Sequence, residues 1–135
     1  MNIVIDASVI MALIIDEPEK EIAIRLTKDT TLLAPQMIPF EIGNALTRIY
    51  KRHILVEDEI IKAYREFKKI PLKTVEVDME NALRIACKYT IYAYDAYYLE
   101  TAKRLKIPLL TFDANMKRIA LEMNLELLED ENENI

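Results

Sequence analysis

Two short apolar runs near opposite ends of the chain, Asn2 to Ile5 and Pro108 to Phe112, each stop at an aspartate, Asp6 and Asp113. Apolar runs of four or five residues, bounded in this way, read as strands buried on both faces. The residues between them alternate between helical and strand-like spacing. Strands separated by helices pair in parallel through crossovers, so the pattern constrains the chain to an α/β domain with a mostly parallel sheet covered on both faces.

Val9, Ile10, Leu13 and Ile14 follow the first run at helical spacing. Beyond Pro18, Ile22, Ala23 and Leu26 mark a short helix, and Thr31 to Ala34 suits a second strand. From Gln36 to about His53, Met37, Ile38, Ile42, Ala45, Leu46 and Ile49 form a helical stripe in which Pro39 is tolerable only near the start. Glu57, Asp58 and Glu59 suit the first turn of a helix running to about Lys69. Leu72 to Val77 alternates as a strand, and Asp78 can cap a helix through Cys87. The spacing predicts another helix from about Tyr94 to Lys106, one from Asn115 to Asn124, and a last short strand at Leu125 to Leu128. Residues 1–128 are expected to form a single domain, and the acidic tail from Glu129 to Ile135 is expected to fray.

At 135 residues the chain has room for one hydrophobic core and not for two. Its single cysteine, Cys87, and single histidine, His53, exclude a disulfide framework and a thiolate or imidazole zinc site, so any metal must be held by oxygen. Cys87 falls at helical spacing between Leu83 and Ile91 and reads as core, whereas His53 reads as surface. No apolar run approaches the roughly 20 residues that span a bilayer, and the opening residues lack the basic start of a secretory signal. An intracellular protein is expected. A formal net charge of −5 weighs against a nucleic-acid partner, unless bound divalent cations neutralise part of the acid.

Acids alone signify little among 23 Asp and Glu residues. Four, however, stand where folding alone favours something else. Asp6 and Asp113 end apolar strands, and ligands of parallel sheets gather at the carboxyl ends of strands. Capping the following helix is the competing explanation for each. Glu41 lies inside an apolar helical stripe, where an unpaired ion costs several kcal/mol; pairing with Arg48 is its alternative. Asp95 sits in the aromatic window Tyr92 to Leu99 and has the same capping alternative as the strand-end acids. Converging carboxylates without histidine suit Mg²⁺ or Mn²⁺, hard ions that take oxygen ligands and polarise a phosphodiester.

Taken in order, Ile3-Val4-Ile5-Asp6-Ala7-Ser8, Phe40-Glu41-Ile42-Gly43-Asn44-Ala45-Leu46, Tyr94-Asp95-Ala96-Tyr97-Tyr98-Leu99 and Leu110-Thr111-Phe112-Asp113 resemble the PIN-domain nucleases, and within them the VapC-type toxins of toxin–antitoxin pairs. The resemblance covers nearly the whole chain. It implies a three-layer α/β/α sandwich, RNA cleavage dependent on one or two Mg²⁺ or Mn²⁺ ions, a small antitoxin partner, a homodimer and a cytoplasmic location. Asp6, Glu41, Asp95 and Asp113 match the acidic quartet that binds metal and catalyses. Ser8 matches a hydroxyl residue that orients a water or the first Asp, and Thr111 lies two residues before the last acid. Some relatives carry a further acid just after that last one; here Asn115 is the nearest polar candidate.

Five tyrosines from Tyr89 to Tyr98 suit a core or a partner interface better than base stacking. Arg48, Lys51 and Arg52, like Arg65, Lys68 and Lys69, can meet RNA phosphates or acidic antitoxin groups, although helix C-termini favour cations anyway. A non-catalytic PIN-like module that binds RNA or a partner is the alternative function. An Asp-nucleophile phosphatase fits poorly, because Asp6 is followed by Ala7 and Ser8 and not by a second Asp. A phosphoacceptor receiver domain leaves Glu41 without a role.

Overall fold

The computed structural model describes residues 1–130. Four strands, β1 (Asn2–Ile5), β2 (Thr31–Pro35), β3 (Leu72–Val75) and β4 (Leu109–Leu110), form one parallel sheet in the order β3-β2-β1-β4. Between and after them run α1 (Ala7–Ile14), α2 (Lys20–Thr27), α3 (Ile38–Lys51), α4 (Glu57–Lys69), α5 (Met79–Tyr89), α6 (Ala93–Leu105) and α7 (Ala114–Glu122). The chain steps outward from β1 to β3 and then returns past β1 to β4. Because parallel crossovers are right-handed, this reversal sends the returning helices to the opposite face of the sheet. Accordingly α6 packs across β1, β2 and β4 with α5 against it, while α1 gathers α2, α3 and α4. The reversal point lies between β1 and β4, whose carboxyl ends lead to Asp6 and Asp113; crevices at such points are where α/β sheets bind ligands.

The core is the expected one. Ile3, Val4 and Ile5 are fully buried, and Ile38, Ile42, Leu99, Leu109, Leu110 and Ile119 close around them. Pro39 occupies the first turn of α3, where its missing N–H costs nothing. Asp78 caps α5 by accepting from the Asn81 N–H at 3.2 Å. With glycine absent from the helix ends, Thr90 and Lys106 take the left-handed conformation that closes α5 and α6.

Four expectations change. The strand expected over Leu72 to Val77 ends at Val75. The one expected over Pro108 to Phe112 is only two residues long, because the N–H groups of Phe112 and Asp113 donate to the Ser8 and Thr111 hydroxyls instead of a neighbouring strand. The last strand reduces to a single parallel bridge between Leu109 and Leu127, flanked by Leu109 N–H to Glu126 O and Leu128 N–H to Leu109 O, each 2.9 Å. Cys87 is exposed and not core, since α5 presents Ala82 and Ile85 inward; His53 is exposed as expected. At the start of the acidic tail, Asp130 is buried and ion-paired with Arg25; residues 131–135, most of the tail expected to fray, lie outside the described residues. Among the described residues, no helix is long and apolar enough to cross a membrane.

Candidate functional site

Asp6 leaves β1 as the N-cap of α1, and its carboxylate is a hub for three donors. Ser8 Oγ donates to Oδ1 at 2.6 Å, the Val9 N–H donates to Oδ1 at 3.2 Å, and Thr111 Oγ1 donates to Oδ2. The same two hydroxyls accept the Phe112 and Asp113 N–H groups, each at 3.0 Å, which ties the ends of β1 and β4 together. Asp113 caps α7, accepting from the Met116 N–H at 2.8 Å, and is exposed. Both strand-end acids are therefore caps. For Asp6 this does not exhaust the matter, because it is only 4% exposed and makes no ion pair among the described residues.

Comparison with the other buried acids makes the point. Among the described residues three carboxylates are buried: Asp6, Glu100 and Asp130. Glu100 has the Arg104 guanidinium at 2.6 Å, and Asp130 has Arg25. Asp6 has hydroxyls and one N–H but no positive partner. Burial pushes its carboxyl up to about 6, against the pull of Ser8, Thr111 and the Val9 N–H, and the Asp113 charge adds to the rise.

Glu41, in the first turn of α3, is half-buried and accepts a hydrogen bond from the Tyr98 hydroxyl. It forms no ion pair with Arg48. Burial raises its pKa; the Tyr98 hydrogen bond opposes this, the Asp6 and Asp95 charges add to it, and Arg48 offsets it in part. Asp95 stands in the first turn of α6, but the cap position belongs to Tyr92, so the capping explanation fails for it. Half-buried and without a hydrogen bond or ion pair among the described residues, Asp95 is raised by burial and by the charge of Asp113. Asp6 and Asp95 thus feel the charge of Asp113, and Glu41 feels those of Asp6 and Asp95.

Asn115 is exposed, and its Oδ1 accepts from Arg118 at 2.7 Å; no hydrogen bond ties it to the four acids. Sequence reasoning missed Tyr98. Its ring is 1% exposed, its hydroxyl spans Glu41 on α3 and the backbone of Ala7 on α1, and burial together with Glu41 holds its pKa above the usual phenol range. The available signal was Tyr98 lying three residues after Asp95, on the same side of one helix. Tyr98→Phe is expected to cost about 1–3 kcal/mol, because a half-buried carboxylate loses its donor. It should also lower activity about 10–100-fold by freeing Glu41. Melting curves beside kcat measurements check both effects.

An oxygen-only donor set of mutually repelling carboxylates fits a hard divalent cation. Among the described residues no three such side chains close on one ion unaided. Mg²⁺ commonly keeps several waters and takes one or two direct carboxylates together with substrate phosphate.

Residues 3–122 match the family model described as PIN domain. The chain is 30% identical over 121 residues to Ribonuclease VapC3 of Pyrobaculum aerophilum, covering 86% of this chain and 92% of that protein. The crystal structure of PAE2754 from Pyrobaculum aerophilum superposes with a TM-score of 0.67 at 25% identity, covering 88% of this chain and 79% of that one. VapBC2 from Rickettsia felis, solved bound to a DNA fragment from their promoter, superposes at 0.62 with 14% identity, covering 95% and 98% respectively.

Proposed function

The chain belongs to the PIN-domain family, and on that premise we propose that it is a Mg²⁺- or Mn²⁺-dependent endoribonuclease, the toxin of a VapBC-type toxin–antitoxin pair. The observation that carries the reading is Asp6, a buried carboxylate with no cationic partner where the other two buried acids each have an arginine. In this reading Asp6 and Asp95 are the direct ligands of one or two ions, with Glu41 and Asp113 completing the charge. When bound, the ion supplies Lewis-acid polarisation of the phosphodiester and offsets charge that develops in the transition state. Ser8 and Thr111 hold the Asp6 carboxylate in one orientation by donating to its two oxygens. Tyr98 does the same for Glu41 through Oε1, leaving Oε2 to accept a proton from an attacking water. The protein acts in the cytoplasm as a homodimer, and a small antitoxin silences it. The similarity to Ribonuclease VapC3 supports the RNA substrate, and that to VapBC2 supports a paired partner.

Purified protein mixed with single-stranded and structured RNA, in Mg²⁺, Mn²⁺ or EDTA, tests the activity. Product is expected only with metal. No metal-dependent product on either RNA would instead favour a non-catalytic PIN-like module. Metal binds the folded chain preferentially, so Tm should rise as well; free metal at about 100 times its Kd adds about 2.7 kcal/mol. An unchanged Tm at millimolar Mg²⁺ and Mn²⁺ counts against the site.

A further inference from the structure

A groove of about 410 Å³ opens beside the acidic site, between α1 with the loop that follows it and α3. Its floor is apolar, made by Met11, Ala45, Ile49 and Phe112, and it reaches the site through Ser8, whose hydroxyl both donates to Asp6 and accepts from Phe112 N–H. One wall carries Arg48 and Arg52, the other Glu17 and Glu19. Among the described residues none of these four side chains makes an ion pair, although charges of both signs line one cavity. The two signs of charge stay apart across the groove, which leaves both sets open to a ligand.

We infer that this groove holds the nucleotide flanking the scissile phosphate of a single-stranded RNA, with Arg48 and Arg52 on its phosphates and Glu17 and Glu19 reading the amino group of its base. The inference rests on the ribonuclease reading above. Glu41, Ala45 and Arg48 fall on one stripe of α3, at intervals of three or four residues, and Arg52, the C-cap, follows four residues on. With a rise of about 1.5 Å per residue, Arg48 lies about 10 Å along the helix from Glu41 and Arg52 about 6 Å further. A strand crossing the acids therefore runs on past two guanidiniums suited to phosphate. Carboxylates accept hydrogen bonds and cannot donate them when ionised. At the exocyclic position they favour cytosine, adenine or guanine, which carry an amino group, over uracil, which presents carbonyl oxygens beside its one donor, the ring N3–H. Unstacked bases of single-stranded RNA expose these edges and lie on apolar or aromatic side chains such as Phe112. Glu17 is held above the usual carboxylate range by burial and by Glu19, a strain that a donor from the base relieves. A volume of this size is within the roughly 300–1,000 Å³ typical of small-ligand sites.

Cleavage of an RNA with a randomised window, mapped by sequencing in Mg²⁺, tests the assignment in the full-length protein. Wild type should cut with uracil disfavoured roughly tenfold at one position beside the cut. Glu17→Gln with Glu19→Gln should erase that bias, since an amide also donates. Arg48→Ala with Arg52→Ala should raise KM roughly tenfold and shrink the salt slope of log KM by about 0.7 per lost contact, and Arg52→Ala alone, which leaves the Arg48 charge near Glu41 in place, should raise KM more than it changes kcat. Melting curves matching wild type show that the variants fold. Wild-type protein that gives no metal-dependent product overturns the ribonuclease reading and the groove with it. Wild-type cleavage whose KM, salt slope and base bias persist in both double variants overturns the groove alone. So does an arginine variant that binds the antitoxin less tightly while its KM for RNA is unchanged, which makes the groove a protein-docking site.

Discussion

Asp95→Asn is expected to lower RNA cleavage by at least about 10²–10³-fold, the loss seen when a single transition-state-stabilising group is removed. Its carboxylate makes no hydrogen bond or ion pair among the described residues, is half-buried, and is opposed by the charge of Asp113. Replacing one oxygen by an amide nitrogen breaks no contact within the protein. What disappears is the charge that, in the proposed function, meets a cation. Metal-free Tm should therefore match or exceed that of the wild type, while the rise in Tm caused by Mg²⁺ shrinks. A variant that keeps both full cleavage and the full metal-induced shift sinks the assignment of Asp95.

Asp6→Asn is expected to combine the same loss of cleavage with greater stability in EDTA. The Asp6 carboxyl, pushed up to about 6 from 3.8, binds its proton more tightly in the folded chain than in the unfolded one. The stability this contributes is fully present below the unfolded value of 3.8 and is lost as pH rises through about 6. At neutral pH the ionised, buried form is thus a liability of about 3 kcal/mol at most. Metal-free wild-type protein should melt higher near pH 5 than near pH 7, and saturating Mg²⁺ should flatten that slope by competing with the proton. In the variant the Ser8 and Thr111 hydroxyls can turn to suit an amide, so the neutral side chain keeps its partners. A lower Tm than the wild type in EDTA at neutral pH contradicts the account.

The alternation of runs such as Asn2 to Ile5 with helical stripes was enough to reveal a parallel sheet, because burial on both faces imposes its own residue pattern. Asp6 and Asp113 were visible as acids ending those runs, and Glu41 as an acid in an apolar stripe. Strand ends were harder to place. The reach of β4 depends on Ser8, 104 residues from Phe112 in the chain, and no local window contains that hydrogen bond. Tyr98 was hidden for the same reason, since a buried tyrosine announces a partner but does not name it, and Glu41 is 57 residues away. The two arginine-anchored acids, Glu100 and Asp130, carried no local sign of burial, since Asp130 pairs with an arginine 105 residues away and Glu100 is one acid of a helix that also carries Lys103 and Arg104.

The two hydroxyls that fasten β1 to β4 also set a time at which the site can exist. The Asp6 to Thr111 contact spans 105 residues, and β4 reaches its place only after every other strand has been made. Domains emerge from the ribosome amino end first. A nascent chain that has not yet delivered Thr111 and Asp113 holds Asp6 without its second oxygen's donor and without the last of the four acids. Such an unfinished chain lacks the assembled centre while it is still held on the ribosome. With the last of the four acids placed beyond β4, the proposed centre is completed only once that strand has joined the sheet.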